Sequence, residues 1–412
     1  MPAEVQRETT TDTATDSLTH DIDRSNDEPT FSPTAGLRSS RRLRILMVSA
    51  RYRPFVGGTE THTYEVASRM AAEGHDVTVL TTRPDPRLPR FEVDNGIRVI
   101  REDIVLPKTD YYIARGIYRE ITNGSWDLIH CQGYHTFVAP LAMVAALRTR
   151  TPYVVSFHSG GHSSPFRVGA RDLQRKLLRP LLARAKRLIA VSNFESSFFQ
   201  RELQLSLDRF SVVVNGAEKM LVTDGNTPVR DNDAPLIVSV GRLERYKGHH
   251  RVIEAMPQVL QAFPDARLRV VGAGPYESEL KALAQELGLN ERIRILGTAA
   301  TDKSGMARIL CEASLVTLIS EYEAYPISVL EALAMGCQVL IANTSGLSEL
   351  GKYSSVTLIP ISCTTSELAQ AIVNRIRNPL PSIEMALPSW DDCAAGILDV
   401  YCDVLGVSAC AS

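Results

Sequence analysis

The stretch Pro235-Leu-Ile-Val-Ser-Val-Gly-Arg-Leu-Glu-Arg-Tyr-Lys-Gly248 sets an apolar strand, Pro235 to Val240, directly before a polar turn. The turn carries two fixed cations, Arg242 and Lys247, between Gly241 and Gly248, which let backbone approach closely. A planar guanidinium fork beside a mobile ammonium suits a diphosphate. Ordinary solvated surface cations are the bland alternative, and the position behind a strand weighs against it. Further along, Glu323-Ala-Tyr-Pro-Ile-Ser-Val-Leu-Glu331 puts one carboxylate in a loop and another in the helix that follows. Pro326 fits the first helical position, where no backbone donor is needed. The free amides around Tyr325, Ile327 and Ser328 can receive a phosphate, assisted by the helix dipole. Carboxylates suit the hydroxyls of sugars and ribose, so the two segments together read as a site for a nucleotide-sugar.

Outward from this pair the chain alternates. Strand-like runs at Leu43–Ser49, Asp76–Leu80, Ile97–Ile100, Leu128–His130, Tyr153–Phe157, Leu188–Val191 and Phe210–Val214 are separated mostly by helical patterns. A second series runs Leu236–Val240, Leu268–Val271, Ile293–Leu296, Leu315–Ile319, Gln338–Ile341 and Thr357–Ile359. Such alternation predicts an α/β protein, two Rossmann-like doubly wound parallel-sheet domains facing a cleft, with ligands at the carboxyl ends of the strands. The expected boundaries are a disordered acidic tail over 1–42, a first domain over 43–217, a polar linker over 218–234, a second domain over 235–385 and a final segment over 386–412. The tail is rich in Thr, Ser, Asp and Glu and too poor in large apolar side chains to offset the entropy of ordering it.

The two segments resemble the donor-site motifs of retaining family-4 glycosyltransferases, which have the two-domain GT-B fold. The resemblance runs from about Arg44 to Leu405 and keeps the family's order: Gly57-Gly58, a strand ending in His158, Asn215-Gly216 before the linker, then the two motifs. It implies that Arg242 and Lys247 hold the donor diphosphate, that Glu323 contacts the donor sugar and that Glu331 grips the ribose. His158 would lie near the reacting carbon, and Gly57 and Gly58 would approach the donor phosphates and the acceptor. A helix over about Trp390–Leu405 would cross back to the first domain. The chain has Ala324 and Pro326 where glycines are frequent in the family, which removes one phosphate-binding amide.

Other candidates are weaker. A structural histidine bonded to a backbone carbonyl is the alternative for His158, and His162 matches no general motif of the family. Gly272-Ala-Gly-Pro275, with Gly274, matches the family's turn in the nucleotide domain, and a tight structural turn accounts for it equally. As a dinucleotide fingerprint it lacks the third glycine, which disfavours a dehydrogenase. No spacing of His, Cys, Asp or Glu suggests a metal, and the resemblance implies metal independence, with a UDP-, GDP- or ADP-sugar as co-substrate rather than a cofactor.

Composition fits a soluble enzyme: 412 residues, 44% hydrophobic, with a net charge of -2 that gives no reason to expect nucleic acid. No apolar run reaches the ~18 residues of a membrane span, and no signal peptide is visible. Seven cysteines without a Cys-x-x-Cys pair read as reduced thiols in the cytoplasm. The stretch Arg167 to Arg187 is basic and leucine-rich, which suits either docking on an anionic inner membrane face or a domain helix with a solvated basic side.

These readings converge on a retaining, metal-independent transferase moving a hexose-type sugar to a hydroxyl of a glycan, lipid-linked or small-molecule acceptor. A nucleotide-sugar epimerase of the same architecture and a non-enzymatic two-domain sugar-binding protein stand as rivals.

Overall fold

The computed structural model describes residues 37–39, 41–105, 112–159, 165–222, 229–231, 233–297, 303–381, 386–407 and 409–411. His162 and most of the acidic stretch lie outside them. Among the described residues sixteen strands follow one another in chain order. Those before the linker are β1 (Leu37–Ser39), β2 (Arg44–Ser49), β3 (Asp76–Arg83), β4 (Phe91–Asp94), β5 (Ile97–Asp103), β6 (Leu128–Gln132), β7 (Tyr153–Ser156), β8 (Arg187–Ala190) and β9 (Phe210–Val212). Those after it are β10 (Leu236–Val240), β11 (Arg267–Val271), β12 (Ile293–Leu296), β13 (Ala313–Leu318), β14 (Val339–Ala342), β15 (Val356–Ile359) and β16 (Ala409–Ala411).

The first domain holds an eight-stranded sheet in the order β4-β5-β3-β2-β6-β7-β8-β9, and the second a six-stranded sheet in the order β12-β11-β10-β13-β14-β15. Within these two sheets all pairings are parallel except β4 with β5. The reversal of strand order beside β2 and beside β10 puts the carboxyl ends of β2, β6 and β7, and of β10 and β13, at switch points where ligands bind in such sheets. Strands β2 and β10 are buried almost throughout, as helices on both faces require.

Three details depart from the sequence reading. β4 is an antiparallel edge strand that the alternation did not reveal. Within the stretch read as a tail, β1 pairs antiparallel with β16. Pro326 caps the helix Ile327–Ala334 from outside, with φ -75° and ψ 120°, so Ile327 rather than proline takes the first helical position.

The helix Trp390–Leu405 belongs to the core of the first domain, where Trp390, Ile397, Leu398 and Tyr401 pack with Ile45, Met47, Val66 and Met70. It starts with a capping box, Ser389 and Asp392 bonding each other's backbone amides. Gly216 is needed where the connecting chain passes this start: a Cβ there would lie 2.4 Å from the Ser389 carbonyl.

Candidate functional site

The residues of the two motifs assemble at the carboxyl ends of β10 and β13. Lys247 and Glu323, 76 residues apart in the chain, form an ion pair between Nζ and Oε1, their side chains only 12% and 9% exposed. The same oxygen accepts a bond from Ser320 Oγ at 2.8 Å. Arg242 reaches outward, more than half exposed, and donates to the Tyr246 hydroxyl at 2.8 Å. Its loop is held from beneath by fully buried His249, whose ring bonds Ser239 Oγ at 2.8 Å and the Arg242 carbonyl at 3.1 Å. Burial lowers the His249 pKa to about 4, so it remains a neutral strut. Gly248 is in the left-handed region at φ 74°, and a Cβ there would strike the Ile319 carbonyl at 2.0 Å. Glycine is therefore required to bring Lys247 against β13.

Gly274 plays a structural part, since a Cβ would lie 2.3 Å from the Leu243 carbonyl. The Gly-x-Gly turn thus clamps the Arg242 loop, with Leu243 N–H donating to Ala273 O at 3.0 Å. Gly57 caps the helix Gly58–Ala72 in extended backbone, and the Glu60 carboxylate fills the space a side chain would need.

The side chains of Tyr325 and Ile327 are buried in apolar cores. Tyr325 belongs to the core of the second domain and Ile327 to that of the first, where it lies near Gly58. Only their backbone can serve a ligand. Intrahelical bonds in Ile327–Ala334 begin with the Val329 amide, which leaves the earlier amides of Ile327 and Ser328 at the helix start. Glu331, one turn along, is pushed up to about 7 by burial, with Lys303 pulling it down and Glu65 pushing it further up. Lys303 spans the cleft to Glu65 at 2.9 Å.

His158 follows β7 with φ 45°, in the left-handed region. Its Nε2 donates to Gln132 Oε1 at 2.6 Å, at the end of β6, so the alternative of a bond to a backbone carbonyl is not what the geometry gives. Burial holds His158 well below the usual imidazole range, with His62, His130 and His135 adding repulsion. It is therefore neutral, with the proton on Nε2. His62 lies 4.5 Å away ring to ring and is fully buried; its Nδ1 donates to Asn215 Oδ1 at 3.0 Å. Asn215 in turn donates to the Tyr325 carbonyl at 2.9 Å, tying the two domains together. Sequence reasoning did not assign roles to His62, Gln132 or Glu65. Gln132 at a strand's carboxyl end was the one legible signal among them.

Among the described residues no group of three His, Cys, Asp or Glu side chains could hold a metal ion, and no helix is long and apolar enough to cross a membrane. In the helix Pro165–Leu182, Leu182 is buried whereas Leu173 and Leu177 are 60% and 69% exposed beside exposed Lys176.

Two facing parallel-sheet domains, with cations and carboxylates gathered between them, define a glycosyltransferase of the GT-B type. The chain belongs to the family-4 glycosyltransferases: residues 56–219 match the model described as Glycosyltransferase Family 4, and residues 225–380 match Glycosyl transferases group 1. It is similar to glycogen synthase of Mycobacterium tuberculosis, 29% identical over 74% of this chain and 80% of that one. In fold it resembles sucrose-phosphate synthase from Thermosynechococcus elongatus, with a TM-score of 0.72 and 22% identity over 89% of this chain and all of the other. It also resembles the Anabaena protein HepE, solved in complex with UDP and glucose, with a TM-score of 0.64 and 18% identity over 88% and 95% of the two chains.

Proposed function

We propose that this glycosyltransferase moves a hexose from a nucleoside diphosphate sugar to a hydroxyl, with retention and without a metal. The observation that carries the reading is the meeting of Lys247 with Glu323, with Arg242 on the same loop as Lys247. A diphosphate entering there would draw Lys247 and Arg242 to its oxygens, and Glu323 would be released to the sugar hydroxyls. The UDP and glucose found with HepE make UDP-glucose the first donor to test among the UDP-, GDP- and ADP-sugars the site could take.

The chemistry then rests on the leaving group. As the anomeric C–O bond breaks, negative charge grows on the diphosphate, and two cations with the amides of Ile327 and Ser328 stabilise it. His158 is neutral and offers Nδ1 as an acceptor, so its role is to position hydroxyls on the acceptor side. The departing phosphate takes the acceptor's proton on the same face, which gives retention. With no carboxylate acting as a nucleophile, the protein contributes positioning and electrostatics.

The acceptor is a glycan, a small molecule or a lipid-linked sugar. The exposed Leu173 and Leu177 beside Lys176 suit peripheral contact with an anionic membrane. A thermal-shift screen of UDP-, GDP- and ADP-sugars, with and without EDTA, tests the donor reading. One nucleotide should raise the melting temperature and release its sugar equally in EDTA. No shift with any nucleotide, or turnover that EDTA abolishes and Mn²⁺ restores, would defeat it.

A further inference from the structure

The neighbours of the two assigned residues, His158 and Glu323, touch each other across the cleft. Ser159 follows His158, and its Oγ lies 2.8 Å from the hydroxyl of Tyr322, the residue before Glu323. Ser159 is itself fixed by Glu195, a fully buried carboxylate that accepts from the Ser159 amide at 2.7 Å, from the Ser159 hydroxyl and from the Val191 amide at 2.9 Å. The Tyr322 ring sits against Phe194 and Phe198, with centroids 5.7 and 6.5 Å away. Both phenylalanines belong to the helix Asn193–Leu203, which also carries Glu195.

A second route joins the same parts. The Glu323 amide donates to Ser345 Oγ at 2.9 Å, and the Gly346 amide donates to the Glu323 carbonyl at 2.9 Å. Gly346 is required there, since a Cβ would strike the Ala324 carbonyl at 1.7 Å. Three residues on, Glu349 crosses the cleft and accepts from the Phe194 amide at 2.6 Å and the Asn193 amide at 3.2 Å. A carboxylate of the second domain thus caps a helix of the first, where unpaired amides and the helix dipole favour negative charge.

We propose that Tyr322 and Glu349 are positioning residues: together they clasp the helix Asn193–Leu203 and the Ser159 turn, and so set the distance between His158 and Glu323. Neither touches the donor in this assignment. Each acts through its bonded neighbour, Tyr322 through Ser159 next to His158 and Glu349 through the segment that holds the Glu323 backbone. When the domains part to admit donor, both contacts must break. When they re-form, the acceptor-side histidine and donor-side carboxylate return to one register. The inference rests on the donor reading above, but its test does not depend on turnover alone.

Tyr322→Phe removes the hydroxyl contact with Ser159, and Ser159→Ala removes that contact and the hydroxyl bond to Glu195. Glu349→Ala removes the bonds from the Asn193 and Phe194 amides, and Glu349→Gln keeps an acceptor oxygen. Three quantities are measured: UDP release from UDP-glucose, UDP affinity by calorimetry, and hydrogen exchange at the Asn193 and Phe194 amides of the ligand-free chain. Tyr322→Phe and Glu349→Ala should each lower kcat about tenfold, as expected for loss of one hydrogen bond felt in the transition state. UDP affinity should stay within about twofold of the parent. Combining Tyr322→Phe with Ser159→Ala should cost no more than Ser159→Ala alone, since the tyrosine contact is already lost with the Ser159 hydroxyl. Exchange at Phe194 should quicken in Glu349→Ala and partly recover in Glu349→Gln. Unchanged kcat, or a fall in UDP affinity that matches the fall in kcat, would overturn the proposal, the second by making these residues part of the nucleotide pocket. If the parent releases no UDP, GDP or ADP from the corresponding sugars, the donor reading fails; the clasp then stands or falls on exchange, and unaltered exchange refutes it.

Discussion

Lys247→Ala and Glu323→Ala should have opposite effects on free nucleotide, because the two side chains are paired with each other. A cation on a phosphate contributes about 1.5–3 kcal/mol as a charge-assisted bond. In the ligand-free protein the Lys247 ammonium is already committed to Glu323, in surroundings that leave the side chains 12% and 9% exposed. Separating a pair that opens onto a solvated cleft costs roughly 1 kcal/mol, well below the figure for a fully buried pair. The net loss of UDP affinity in Lys247→Ala is then roughly 0.5–2 kcal/mol, or about two- to thirtyfold. In Glu323→Ala the ammonium is uncommitted, so UDP should bind as tightly as before or up to about fivefold tighter. Transfer from the full donor should nevertheless fall about ten- to a hundredfold, because the carboxylate addresses the sugar. Calorimetry with UDP alone, beside turnover with UDP-glucose, separates the roles. Glu323→Ala weakening UDP as much as Lys247→Ala does would refute the division of labour. Two variants that bind and transfer like the parent would place the donor elsewhere.

Glu331 gives a pH test. A carboxyl raised from 4.5 to about 7 in the folded state stabilises the fold below 4.5, and that stability is lost as pH rises through 7. The melting temperature of Glu331→Gln relative to the parent should therefore climb between those values and level off above them. If the ionised form grips ribose, parent UDP affinity should rise from pH 6 to 8 while that of Glu331→Gln stays flat; parallel profiles would remove Glu331 from the ribose site. Sedimentation with vesicles should show salt-sensitive binding to anionic but not neutral lipid, abolished by Leu173→Asp with Leu177→Asp; indifference to both lipids would return this helix to a solvated role. Removal of residues 1–36 should leave melting temperature and turnover unchanged, and a large drop in melting would show that the stretch packs on the body.

The sheets were legible where burial on both faces leaves a continuous apolar run. Leu236–Val240 and Ile293–Leu296 have the same ends in sequence and structure. β4 was missed because its burial alternates with the apolar residues on the outer side: Phe91 and Val93 are 67% and 73% exposed. A turn signal was nonetheless present, since Asn95 and Gly96, at φ 49° and 79°, join β4 to β5 as an Asn-Gly hairpin. The first helical residue after Tyr325 was misplaced by one because proline suits both the first turn and the position before it. Its dihedrals, set by the turn back from β13, decide between them.

The two segments that meet through Lys247 and Glu323 stand out in the sequence because each is local, with cation, glycine and carboxylate spaced by one turn or one helix start. Side-chain direction was not readable in the same way. Tyr325 and Ile327 flank a cap, and whether they face ligand or core depends on what the opposite domain brings up: the Asn215 amide for the Tyr325 carbonyl, and the surroundings of Gly58 for Ile327. Ser159, Glu195, Tyr322 and Glu349 carry no local signal at all. Glu195 reads as an ordinary residue of a helix's first turn, and Glu349 as a surface charge, until the fold closes and gives each carboxylate backbone amides as donors. Local sequence therefore marks the charged turns that come together between the sheets, through residues that need only their own turn. How the halves of the site meet is encoded in residues 155 or more positions apart, which acquire a function only as a pair.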